Sequence, residues 1–137
     1  MSLTSTQIDL VQTSFKQVEP ISEQAAAIFY DALFQIDPNL RPLFKQDIRH
    51  QGRKLMAMLK AAVEGLKDLD ALVPQLHELA RRHKDYGVRQ SHFTPVGNAL
   101  LYTLKTGLGE AYTREVREAW VAVIHLVADT MKPTLER

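Results

Sequence analysis

The chain has 137 residues, 45% of them hydrophobic and 24% charged, with a formal net charge of +1. That is an ordinary globular mix, long enough to bury a core without staples, and it lends no electrostatic support to a nucleic-acid or membrane-surface partner. With 0 cysteines, disulfides, thiolate metal ligands and covalent attachment of a prosthetic group through a CxxCH run are excluded, so any metal must be held by His, Met, Tyr or carboxylates.

The length suits one domain over residues 1–137. Met1 to Gln7 has no basic stretch leading into an apolar one, so no signal peptide is read. No run of about 20 apolar residues suggests a membrane span. The expectation is a cytoplasmic protein.

In chain order the dominant period is helical. Ile8, Val11, Phe15 and Val18 recur at steps of three or four, with Thr4 and Gln7 as a capping box and Pro20 as a stop. Ser22 is a candidate cap for the next helix, whose residues Ala25 to Ile36 are apolar almost all round and should be buried on several sides. Asp37-Pro38 stops that helix and starts a short one ending near Phe44. Gln51, Leu55, Met58, Leu59 and Ala62 form an apolar stripe with one polar member at its top, and Gly65 lies near its end. Leu69, Leu72, Leu76, Leu79, Ala80 and His83 define a further face, interrupted at Pro74, where a break or a fresh start is expected. Gly87 suits a helix end. Thr94-Pro95 should cap a helix through Leu100, Leu104 and Leu108, closed by Gly107 and Gly109. Thr113 should cap the last, with Val116, Trp120, Val123, Val127 and Met131 inward and Pro133 as its end. No strand alternation or repeat is present, so the fold class is all-α, six to eight unequal helices joined by short turns. That is too many for a simple four-helix bundle.

Three residues stand out chemically. His83 lies four and seven residues after Leu79 and Leu76, on the same apolar face. By itself it reads first as a core histidine satisfied by carbonyls, although an imidazole facing an apolar space also suits a proximal haem ligand. Gln51 needs a partner if buried, but alone it reads as a surface glutamine near a turn. Tyr30 carries a hydroxyl into an apolar helix, where something polar should meet it. His77 and His125 are placed on or near packed faces, and His50 points about 100° from Gln51 into solvent. Asp68, Asp70 and Glu64 lack the spacing and central glycine of a calcium loop. No HExxH, phosphate loop, nucleophile elbow or paired-carboxylate site occurs.

The stretches Phe29-Tyr30, Leu33-Phe34, Arg41-Pro42-Leu43-Phe44, Ala80-Arg81-Arg82-His83-Lys84, Gly87-Val88, Phe93-Thr94-Pro95-Val96-Gly97, Leu100-Leu101-Tyr102 and Ala119-Trp120 follow one another with tight spacing. In that order they resemble the globin family over nearly the whole chain, most closely single-domain bacterial globins, the haem domain of flavohaemoglobins, and neuroglobins. The resemblance implies a globin fold around a non-covalent haem b, with the helix lettered D absent because Phe44 and Gln51 are close in sequence. It implies His83 as the iron ligand, Tyr30, Gln51 and Leu55 in the distal pocket, and Phe44, Lys54, Val88 and Phe93 against the haem, Lys54 at the rim near the propionates. Phe15 stands where many relatives have Trp. Phe93 stands where flavohaemoglobins have Tyr, so their proximal His-Tyr-Glu group is not carried over, and Glu136 is no obvious substitute.

On this resemblance the function is reversible binding of O2, CO or NO, for oxygen storage, transport or sensing. Hydrogen bonds from Tyr30 and Gln51 should slow dioxygen release. The alternative is a nitric oxide dioxygenase, which needs a separate reductase because no flavin or nicotinamide domain is present. A haem-free globin-fold interaction domain and an unrelated helical scaffold are weaker readings. Whether the chain is a monomer or a homodimer stays open.

Overall fold

The periodic apolar positions become six α-helices among the described residues of the computed structural model. They are α1 (Ser5–Val18), α2 (Ser22–Ile36), α3 (Ile48–Glu64), α4 (Leu69–Asp85), α5 (Phe93–Leu108) and α6 (Arg114–Leu135), with short 3-10 turns between several of them and no strand. The structure describes residues 3–44, 47–85 and 92–135, and for 83–85 and 134–135 the backbone alone.

Several helix ends follow directly from their cap residues. The Thr4 hydroxyl accepts from the Gln7 N–H while the Gln7 side chain accepts from the Thr4 N–H, both at 3.0 Å, which is the reciprocal box that satisfies two otherwise orphaned donors. Asp37 accepts from the Asn39 N–H and opens the 3-10 turn Pro38–Leu43. The Thr113 hydroxyl accepts from the Val116 N–H at 3.2 Å. Gly109 ends α5 at φ 55, a conformation that costs a glycine nothing.

Four expectations about helix ends are corrected. Ser22 is the first residue of α2 and caps nothing, because α1 runs into α2 through the 3-10 turn Glu19–Ile21, whose Glu19 carbonyl takes the Ser22 N–H. Thr94 and Pro95 sit inside the first turn of α5 behind His92, which makes no side-chain cap bond. The N–H that Pro95 lacks would have been unpaired there in any case. Pro74 does not break α4. Leu72 and Leu76 on either side of it are both buried in one core, and that burial outweighs the roughly 3 kcal/mol a helix-interior proline costs. Pro133 likewise stands inside α6, two residues short of its end: the N–H it lacks would have met only the Asp129 carbonyl one turn back, and Met131 close before it is buried in the larger core. Gly87 lies outside the described residues.

Helix α2 packs against α5 and α3, α4 against α6, and α1 against α6. Two cores result. The larger gathers Val11, Phe15 and Val18 of α1 with Leu72 and Leu76 of α4, Leu104 of α5 and Trp120 of α6, among others. Trp120, 1% exposed, donates to the Ser14 hydroxyl at 2.8 Å, and Ser14 passes its own proton to the Leu10 carbonyl at 2.7 Å. The buried polar pair is thus fully satisfied, as a buried pair must be. The smaller core is Phe29, Tyr30 and Leu33 of α2 with Leu40 and Ala99, edged by half-buried Phe34, Phe44, Ile48 and Leu55.

Helices α2 and α3 meet at Gly52, which is buried. A Cβ placed there would stand 2.8 Å from the Cβ of Ala26, closer than two carbon atoms can approach. Gly52→Ala must therefore push the helices apart. It is expected to lower stability by about 1–3 kcal/mol, the usual cost of overpacking, in urea unfolding; an unchanged midpoint would mean that the two helices are not held at this distance.

Candidate functional site

The close approach at Gly52 and Ala26 has a local consequence. Gln51 is the neighbour of Gly52, and Tyr30 lies one helical turn beyond Ala26 on the same face of α2. The Tyr30 side chain, only 4% exposed, reaches the start of α3, and its hydroxyl donates to the Gln51 backbone carbonyl at 3.4 Å. The polar partner that the sequence demanded for this hydroxyl is a main-chain oxygen. Burial pushes the Tyr30 phenol up to about 12 from 10.0, since the phenolate would be poorly solvated there.

Three aromatic rings stand around this hydroxyl-bearing ring. Phe29 meets it edge-on at 5.1 Å between centroids, Phe34 lies nearly parallel at 5.9 Å, and Phe44 meets it edge-on at 5.3 Å. Phe34 and Phe44 also touch each other at 5.5 Å. Phe44 ends the 3-10 turn, where its N–H donates to the Arg41 carbonyl at 3.1 Å. Arg41 returns the bond, Nη1 donating to the Phe44 carbonyl at 3.2 Å, and its guanidinium lies 5.3 Å from the centre of the Phe34 ring. Sequence reasoning gave Arg41 no role. The one available signal was its spacing, three residues before a phenylalanine at the end of a proline-led turn.

Helix α3 is strongly amphipathic, yet Gly52 and Val63 are its only buried residues. Gln51, Leu55, Met58, Leu59 and Ala62, the stripe read from the sequence, are all half-buried. Together with half-buried Phe44, Ile48 and Val96 they offer an edge of apolar surface that neighbouring helices cover in part. At its top stand Gln51 and, behind it, the buried Tyr30 hydroxyl.

The structure brings Tyr30, Phe44 and Leu55 into one cluster, with Gln51 joined to it through the Tyr30 hydrogen bond. Lys54 is exposed on α3 and already makes contacts of its own. Phe93, the first residue of α5, is half-buried and packs against the larger core rather than against Tyr30. His83 lies in the last turn of α4, its side chain outside the described part, and Val88 lies outside the described residues. His50 is exposed, as read. His77 and His125 are also exposed: of the two placements read for them, on or near packed faces, the structure has the second, each lying next to the apolar stripe of its helix. An open cleft of about 600 Å³ lies between the start of α1 and the start of α4, lined by Ile8, Asp9, Leu66 and Asp70 among others, and shares no residue with the Tyr30 cluster. Among the described residues no helix is long and apolar enough to cross a membrane.

The sequence model of the globin family, described as Globin, matches residues 27–131. The neuroglobin of Tetraodon nigroviridis is 31% identical over 94% of this chain and 90% of its own length, and that of Danio rerio is 30% identical over 89% and 86%. Among solved structures, a hexacoordinated haem protein from an anhydrobiotic tardigrade superposes with a TM-score of 0.88 at 21% identity, covering 98% of this chain and 96% of that one. A bacterial globin from Campylobacter jejuni superposes with a TM-score of 0.84 at 21% identity, covering 97% and 96%. These two share the fold.

The raised Tyr30 phenol makes stability depend on alkali. Between pH 10 and about 12 the folded chain keeps a proton that the unfolded chain has lost, so stability falls as pH rises through that window and is complete below it. Unfolding midpoints taken across this range should drop more steeply for the parent chain than for Tyr30→Phe. Parallel curves would mean that the Tyr30 hydroxyl is in contact with water.

Proposed function

This chain belongs to the globin family, and from that premise we propose that it holds one non-covalent haem b through His83 and binds O2, CO or NO beside Tyr30 and Gln51. The observation that carries the reading is the Tyr30 hydroxyl: 4% exposed, ringed by phenylalanines, and turned toward the first turn of a helix whose apolar stripe is only half covered. A buried hydroxyl in such company is poised to meet a small polar ligand, and the half-covered stripe suits a porphyrin face.

Haem, when bound, supplies an iron with a position open to a diatomic gas. His83 is the residue that would hold it: it stands at the position the globin resemblance gives to the iron ligand, in the last turn of α4, and a neutral imidazole nitrogen can donate to iron. Leu55 and Phe44 supply apolar contact, and Lys54 a cation for the propionates at the rim. Tyr30 needs only to turn its hydroxyl from the Gln51 carbonyl to donate to a gas that gains negative charge on binding. The Gln51 side-chain amide supplies a second donor. Both hydrogen bonds favour dioxygen, which gains the most charge, and slow its release.

The absorption spectrum of the haem-loaded chain, reduced and then given carbon monoxide, tests the reading. A sharp Soret band that moves with the gas and is lost in His83→Ala is the expected result; a chain that takes up no haem would sink the proposal. Tyr30→Phe should release dioxygen roughly ten to a hundred times faster, the range for losing one hydrogen bond to a charged acceptor, as read by stopped-flow displacement.

A further inference from the structure

We propose that Arg41 is a positioning residue for the gas site: it fixes Phe44 and Phe34, and through their rings it sets where the Tyr30 hydroxyl stands. The inference rests on the reading of Tyr30 as a donor to the bound gas.

Arg41 is exposed, on the 3-10 turn between α2 and α3. An exposed arginine at the end of such a turn is ordinarily a solvated cation. Its contacts here are more specific. Both main-chain polar groups of Phe44 are held by this one residue, the N–H by the Arg41 carbonyl at 3.1 Å and the carbonyl by Nη1 at 3.2 Å. Phe44 has extended backbone angles, φ −100 and ψ 92, after the helical bonding has ended, so little else in the turn fixes it. The same guanidinium lies 5.3 Å from the Phe34 centroid, within range of a cation–π contact.

Phe34, Phe44 and Tyr30 form a triangle of mutual ring contacts at 5.9, 5.3 and 5.5 Å. Arg41 holds two corners and Tyr30 is the third. Together with Phe29 at 5.1 Å, the Phe34 and Phe44 rings limit how far the Tyr30 side chain can swing. Its long hydrogen bond to Gln51, 3.4 Å, is too weak to fix it alone. A lysine at position 41 would keep the charge but lack a planar fork able to stack on one ring and reach a carbonyl at once.

The test uses the haem-loaded, carbon-monoxide-bound chain and reads the C–O stretching frequency alongside dioxygen dissociation. Arg41→Ala should shift the stretch upward toward that of Tyr30→Phe and speed dioxygen release about three- to tenfold, the equivalent of one weakened neutral hydrogen bond. Arg41→Lys should fall between, and it carries the test should the alanine variant not fold. Tyr30→Phe combined with Arg41→Ala should be no faster than Tyr30→Phe alone. A lowered unfolding midpoint with an unmoved stretch and a release rate within about twofold of the parent would make Arg41 a fastener of the turn only and overturn the assignment. So would a double variant faster than Tyr30→Phe. A parent chain that binds no carbon monoxide overturns the functional reading and this inference with it; a parent that binds the gas and responds to Tyr30→Phe but to neither Arg41 variant overturns this inference alone.

Discussion

Two helices can come this close only where neither carries a bulky side chain, and α2 and α3 do so where the Ala26 methyl faces Gly52. The candidate site depends on that contact. One turn along α2 from Ala26 stands Tyr30; one residue before Gly52 stands Gln51. Had position 52 carried any side chain, the helices would lie farther apart and the Tyr30 hydroxyl, already at 3.4 Å, would fall short of the α3 backbone. A glycine with no chemistry of its own thus sets the spacing between Tyr30 and the start of α3.

The division into two cores assigns different work to different helices. The larger core ties α1, α4 and α6 together through close apolar packing and one buried, fully satisfied polar pair, Trp120 with Ser14. Gln12 adds a tie from α1 to the end of α3, its side-chain N–H donating to the Val63 carbonyl at 3.0 Å. The smaller core has fewer buried members and a long half-exposed edge. Rigid support on one side and unsatisfied apolar surface on the other is the arrangement that lets a domain bind an apolar group without reorganising.

Much of this was legible in the sequence because the signals were local. The Thr4 and Thr113 caps and the inward steps of α6 from Val116 to Met131 need only neighbours along the chain to take effect. Helix α2, expected to be buried on several sides, buries one face, Ala25, Ala26, Phe29, Tyr30 and Leu33, and leaves Ala27, Asp31, Gln35 and Ile36 exposed. Tyr30 was legible for a related reason: a hydroxyl in an apolar helix must find a partner. The proline readings at Pro74 and Pro133 failed because a local penalty was overridden by burial of leucines and Met131 contributed by distant elements. Ser22 and Thr94 failed because a cap residue is defined by where the chain turns, and 3-10 turns or an earlier helix start shifted that point by one or two residues. Arg41 and Gly52 were missed for a deeper reason. The meaning of each lies in what stands opposite, Phe34 and Phe44 for the one and Ala26 for the other, and neither opposition is written in the local pattern.

The chain carries a single tryptophan, and the structure clamps it between α1 and α6 by ring contact with Phe15, 6.4 Å between centroids, and by its bond to Ser14. Optically this makes Trp120 a fixed emitter in a dry setting. Its fluorescence should peak at short wavelength while the helices stay docked and move to the red when they part. A porphyrin seated in the same molecule would accept its excitation energy and dim it without shifting its colour. Colour and brightness of one residue would therefore report two separate events, the parting of the larger core and the arrival of a porphyrin.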